Sequence, residues 1–165
     1  MSQQMVETAR RGYAHLNRAY RSGDVSNFLP WLEEQFDPEF VFVPAGVLPE
    51  SRPVKGWDGM LRYTAEQMKA FEDGSMWLEP IEYIDSEDDT WLVVPYRFGG
   101  TARHTGIAVE FEFVHVFTLR DGMTVRVNVY ETREQALETI RDGKIARCRE
   151  FMTRAEALEA AGLRE

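Results

Sequence analysis

The feature that most constrains this chain is a change of hydrophobic period at Met76. Before it, apolar side chains recur every three or four residues, as on a helix face; after it they alternate, as on a half-buried strand. Val6, Ala9, Tyr13, Leu16 and Tyr20 predict a helix over Met5–Arg21, ended by Ser22-Gly23-Asp24. A second helix is expected to carry Val25, Leu29, Leu32 and Phe36 on one side. Pro30 does not fit a helix interior, so this helix should start late or irregularly. Phe40–Val43 reads as a strand stopped by Pro44, and residues 45–55 as a loop or ragged hairpin. Trp57–Phe71 is a third helix, striped by Met60, Leu61, Thr64, Met68 and Phe71. Strands are then expected at Trp77–Asp85, Trp91–Arg103, Ile107–Leu119 and Thr124–Glu131. Helices followed by a meander of long strands specify one α+β domain over residues 1–165, its helices packed on a sheet face.

The end of the chain is written twice. Residues 118–138 and 139–159 align at ten of 21 positions, Arg-Asp-Gly on Arg-Asp-Gly and Ala-Leu-Glu on Ala-Leu-Glu. Each copy reads as turn, short strand and amphipathic helix. Two copies are too few to stack into a solenoid, so the repeat is a duplicated closing unit of one domain. Loop closure favours the first copy, through Asp121-Gly122, as the partner of Ile107–Leu119.

Charge narrows the function. A net charge of −9 repels phosphate backbones and anionic lipid, which argues against nucleic-acid and membrane-surface roles. The N-terminal residues contain no continuous apolar run, and the lone Cys148 forms no internal disulfide, so a cytoplasmic compartment is expected. His15, His104 and His115 stand at no metal-ligand spacing, and there is no glycine-rich phosphate loop or nucleophile elbow. Neither metal nor cofactor is therefore expected. Cys148 lies between arginines directed to the opposite strand face, so no thiolate partner is evident for it.

Three helices, a strand ending in Pro44, Lys55-Gly56-Trp57 opening a helix, and long strands closing on Val116-Phe117-Thr118-Leu119-Arg120-Asp121-Gly122 resemble the SnoaL-like, polyketide-cyclase-like branch of the nuclear transport factor 2 superfamily. The tail Ala155–Leu163 adds to the likeness. The resemblance implies a cone: a strongly curved, mainly antiparallel sheet forming an α+β barrel around a pocket covered by the helices. It also implies a homodimer joined through the outer sheet face, and a small apolar ligand. Isomerases of this group keep a carboxylate base just before the proline ending the first strand, where this chain has Val43. They keep a tyrosine on the first helix where this chain has Leu16. Where isomerases and cyclases keep an aspartate, two residues before the phenylalanine of the final hairpin, this chain has His115.

His115 also stands out by alternation alone. On its strand Phe111, Phe113, His115, Phe117 and Leu119 share one face, and Glu110, Glu112, Val114, Val116 and Thr118 the other. An imidazole as the one titratable group on an apolar face should stay neutral, available as an acid or base. The bland reading is a buried histidine bonded to a backbone group or a tyrosine hydroxyl. The expected pocket lining is Tyr13, Leu16, Val43, Trp57, Met60, Tyr96, Phe98, Phe111, Phe113 and Val127, with Tyr13 or Tyr96 as a donor to a developing oxyanion. Glu131, Glu150, His15 and His104 read as surface groups. Glu150 resembles an acidic strand position of the epoxide hydrolases, but Tyr96-Arg97-Phe98 lacks the Arg and Asp pair those enzymes need. If Glu110 or Glu112 is buried at a dimer face, Arg126 is the local basic partner. The function expected is small-molecule binding with cofactor-free isomerisation, cyclisation or dehydration; the alternative is a non-catalytic ligand-binding or assembly protein.

Overall fold

The computed structural model describes residues 2–46 and 52–141, so Cys148, Glu150 and nearly all of the second repeat copy lie outside the described residues. Helix α1 spans Ser2–Ser22. A 3₁₀ turn follows at Val25–Phe28, capped by Asp24, whose carboxylate accepts the Ser26 N–H at 2.9 Å. Helix α2, Leu29–Gln35, starts with Pro30 in its first turn, where a missing N–H costs nothing. The irregular start is as expected, but Phe36 is not on the helix. It opens strand β1, Phe36–Val43. Pro38 explains this: it disfavours helical backbone at Asp37, and the chain must already be extended there.

Strand β2 is Val54–Lys55, helix α3 Gly56–Met68, β3 Trp77–Pro80, β4 Ile84–Asp85, β5 Trp91–Thr101, β6 Ala108–Arg120, β7 Met123–Tyr130 and helix α4 Arg133–Arg141. The predicted strand Trp77–Asp85 is thus two short strands on the same neighbour. Pro80 and Pro95, near the break, have no N–H to continue the ladder, and β5 passes from β3 to β4 around them.

The sheet order is β2-β1-β7-β6-β5-β3, with β4 also on β5. Among the described residues every pairing is antiparallel except β1 with β7. The sheet is curved but not closed, with β2 and β3 at its edges, so the expected barrel is an open cone wall. The β6–β7 turn is two residues long, and Asp121 and Gly122 both have positive φ, 54° and 78°, as a type I′ turn requires. As loop closure favoured, the first repeat copy supplies the strand beside β6. Helix α4 then runs through Thr139 to Arg141, so the second copy begins in helix where the first begins in strand.

Helices α1, α2 and α3 pack on one sheet face over an aromatic core that includes Tyr13, Trp31, Phe36, Phe40, Phe42, Tyr96, Phe113 and Phe117. Helix α4 packs on the other face, where Ala136 closes over Val93, Val114 and Val116. Among the described residues no helix is long and apolar enough to cross a membrane.

Candidate functional site

His115 sits in the middle of β6, opposite Val94 on β5 and Val129 on β7. The pleat sends it to the same side as Phe113 and Phe117, under α1. That helix is held in place by Asn17, whose amide donates to the Leu78 carbonyl at 2.8 Å and accepts the Leu78 N–H at 2.9 Å. The amide mimics a neighbouring strand on the free edge of β3 and sets α1 at a fixed depth over the sheet. One turn earlier on the helix, the Tyr13 hydroxyl meets His115 Nδ1 at 2.8 Å. The two rings are nearly parallel, with centroids 5.8 Å apart. Tyr96 stacks on the imidazole at 4.0 Å, and Phe117 and Phe42 meet it edge-on at 5.7 and 6.3 Å.

This surrounding sets the protonation state. Burial pushes the His115 imidazole down to about 3, because no nearby charge offsets the cost of desolvating the cation. Burial also raises the phenols of Tyr13 and Tyr96, with the neighbouring tyrosines adding to the effect. At neutral pH the site is therefore an uncharged imidazole joined to an uncharged phenol. His115 is a poor proton acceptor there, but its second ring nitrogen has no hydrogen-bond partner among the described residues. Nor do the hydroxyls of Tyr20 and Tyr96, both buried residues.

These groups line a central cavity of about 70 Å³. Tyr13, Leu16, Met60, Tyr96, Phe98, Phe113, His115 and Val127, all expected there, are in its wall. Val43, Trp57 and Phe111 are not. Phe42 takes the inward position on β1, so its neighbour Val43 faces the other way. Trp57 packs at the start of α3, its indole N–H donating to the Phe36 carbonyl at 3.1 Å. Phe111 lies toward the exposed end of β6, 43% exposed and stacked on Phe98 at 5.2 Å. Arg126 does not reach Glu110 or Glu112. It is buried, its Nε donating to Asn128 at 3.0 Å, while Glu110 pairs with Arg97 at 3.5 Å.

Reading the sequence missed Phe40, Phe42, Tyr63 and Gln67 as wall residues. On α3 the cavity side is Met60, Tyr63, Thr64 and Gln67, and Gln67 donates to the Tyr63 hydroxyl at 3.2 Å. The spacing of a helix face was present, but Leu61 and Met68, which pack beside the cavity, drew the stripe one position aside. Among the described residues no three His, Cys, Asp or Glu side chains are grouped to hold a metal ion.

A model of the SnoaL-like domain matches residues 11–127. No curated protein sequence matches the chain. Among solved structures, Bal32a from a soil-derived mobile gene cassette is 20% identical, with a TM-score of 0.63 over 82% of this chain and 95% of that one. SalBIII, an epoxide hydrolase/cyclase-like enzyme of pyran ring formation in polyether salinomycin, is 18% identical, with a TM-score of 0.60 over 81% and 96%. A putative SnoaL-like polyketide cyclase from Jannaschia sp. CCS1 is 19% identical, with a TM-score of 0.58 over 83% and 90%. At these identities the likeness is one of fold.

Proposed function

The chain belongs to the SnoaL-like domain family, and on that footing we propose that it binds a small, mostly apolar molecule in the central cavity, with His115 and Tyr13 as its polar end. The observation that carries this reading is the 2.8 Å hydrogen bond between two buried, uncharged groups in the wall of an aromatic cavity. A neutral imidazole or phenol can donate to a carbonyl oxygen and stabilise charge that develops on it, without a cofactor. Isomerisation, cyclisation and dehydration of carbonyl compounds all gain from such a donor. Proton removal from carbon is a poor match for a base with so little proton affinity.

A second reading, a binder without turnover, is favoured by Val43 and Leu16, which place no ionisable group where the related isomerases keep theirs. Self-association through the outer sheet face belongs to the proposal as well. Helix α4 covers Val93, Val114 and Val116, so a partner would meet the part carrying the exposed ion pairs of Glu79, Arg97 and Glu110.

A thermal-shift screen of small ketones, enones and epoxides against wild type and His115→Leu tests the ligand reading. A ligand at about 100 times its dissociation constant adds about 2.7 kcal/mol of stability. The reading expects a shift in wild type that shrinks in His115→Leu. Equal shifts in both proteins would place the ligand elsewhere. A shift without product by chromatography would select the second reading.

A further inference from the structure

The central cavity has a large neighbour. A groove of about 910 Å³ is bounded by the N-terminal turns of α1, the β4–β5 and β6–β7 turns and Ile140 of α4. Among the described residues two side chains line both spaces, Trp31 and Phe117. Trp31 is the more firmly built of the two. It is 6% exposed, and its indole N–H donates to the Thr8 carbonyl at 3.0 Å. Its ring lies edge-on to Phe36 at 4.7 Å and against Phe28 at 5.4 Å.

Helix α1 is shaped to receive that ring. Gly12 stands mid-helix, where glycine is destabilising by about 1 kcal/mol relative to alanine. A β-carbon at this position would fall inside the Trp31 ring system. The absence of a side chain at Gly12 is what lets the indole lie flat between α1 and α2 and seal the inner end of the groove.

Resting on the reading of the central cavity as the ligand site, we propose that Trp31 sets the size limit of that site. It divides what would be one continuous channel into a small chamber holding His115 and a large outer groove. The chamber, at about 70 Å³, is less than half of a cavity of about 150 Å³ that holds benzene. The ligand class that follows is a compact oxygen-bearing molecule smaller than a benzene ring, such as a short-chain ketone, and fused-ring ligands are excluded. Trp31 is a specificity-determining residue, acting by volume alone.

The test uses acetone and 2-naphthol as probes, with the His115 imidazole NMR signals as the reporter, in wild type and Trp31→Ala. Trp31→Phe, which removes part of the indole, carries the same comparison should the alanine variant not fold. The expected result is that acetone shifts the His115 signals in both proteins, whereas 2-naphthol shifts them only in the variant, with apparent affinities differing by more than about tenfold. The proposal is overturned by 2-naphthol reaching His115 equally well in wild type, or by its failing to reach His115 in a folded variant. If acetone shifts neither protein while 2-naphthol gains access in the variant, the size limit stands and the small-ligand function falls.

Discussion

The two faces of the sheet are built from alternate residues of the same strands, yet they are filled differently. On the inner face, Phe113 of β6 meets Tyr96 and Phe98 of β5, and His115 and Phe117 meet rings from α1 and β1. On the outer face, Val114 and Val116 meet Ala136 of α4. Branched aliphatic side chains under a helix interdigitate and leave little space. Flat rings arranged over a curved surface tilt against one another, at interplanar angles from 8° to 80° among the contacts here, and a void remains where they meet. The void has polar atoms in its wall. The lesson is that a face made almost wholly of rings can still keep a site, if those rings cannot tile it.

Substitutions that delete volume should separate the faces most clearly. Phe40, 1% exposed on the inner face, is expected to cost about 3–5 kcal/mol when replaced by alanine, and Val116, fully buried on the outer face, about 2 kcal/mol. Urea unfolding measures both. Acid should then act on the inner face through His115. Its folded-state proton affinity is depressed below the ordinary 6.5, so the unfolded chain takes up a proton that the folded one refuses. Stability is unaffected above pH 6.5 and falls by about 1.4 kcal/mol per pH unit below it, toward pH 3. The difference between wild type and His115→Leu isolates this slope from that of the carboxylates. Coincident slopes would contradict it.

Smaller effects sharpen the contrast. Tyr13→Phe leaves His115 Nδ1 buried without its partner and should cost about 1–2 kcal/mol. On the exposed part of the outer face, Arg97→Ala breaks the pairs to Glu79 and Glu110, and less than about 1 kcal/mol is expected. A larger loss there than at Tyr13 would mean that the outer face, not the inner one, holds the specified polar contacts.

How much of this was legible in the sequence follows from the same contrast. Alternation along β6 placed His115 on the apolar face, and the α1 stripe placed Tyr13 on the buried side of its helix, because both depend only on local period; that the two side chains meet is a tertiary contact. Features set by contacts distant in sequence were not legible. Alternation puts Phe40 and Phe42 on one face of β1 and Val41 and Val43 on the other, but which face looks inward is set by the helices packed against the sheet, not by spacing. Phe111 shares the face of His115 but lies nearer the exposed end of β6, where alternation says nothing about what covers it. Gly12 is unremarkable as a residue until Trp31 is found lying on it. The volume left among the rings is a property of packing and has no signature in spacing at all.

The central claim is that His115 is an uncharged, Tyr13-bonded group sealed in a cavity wall. Its most direct test is the nitrogen NMR spectrum of the His115 ring, recorded from pH 8 to pH 4.5. The account predicts an imidazole that stays neutral throughout, with Nδ1 shifted by its bond to Tyr13 and released in Tyr13→Phe. A ring that titrates with a midpoint near 6.5 would show it open to water and unpaired, and would contradict the account.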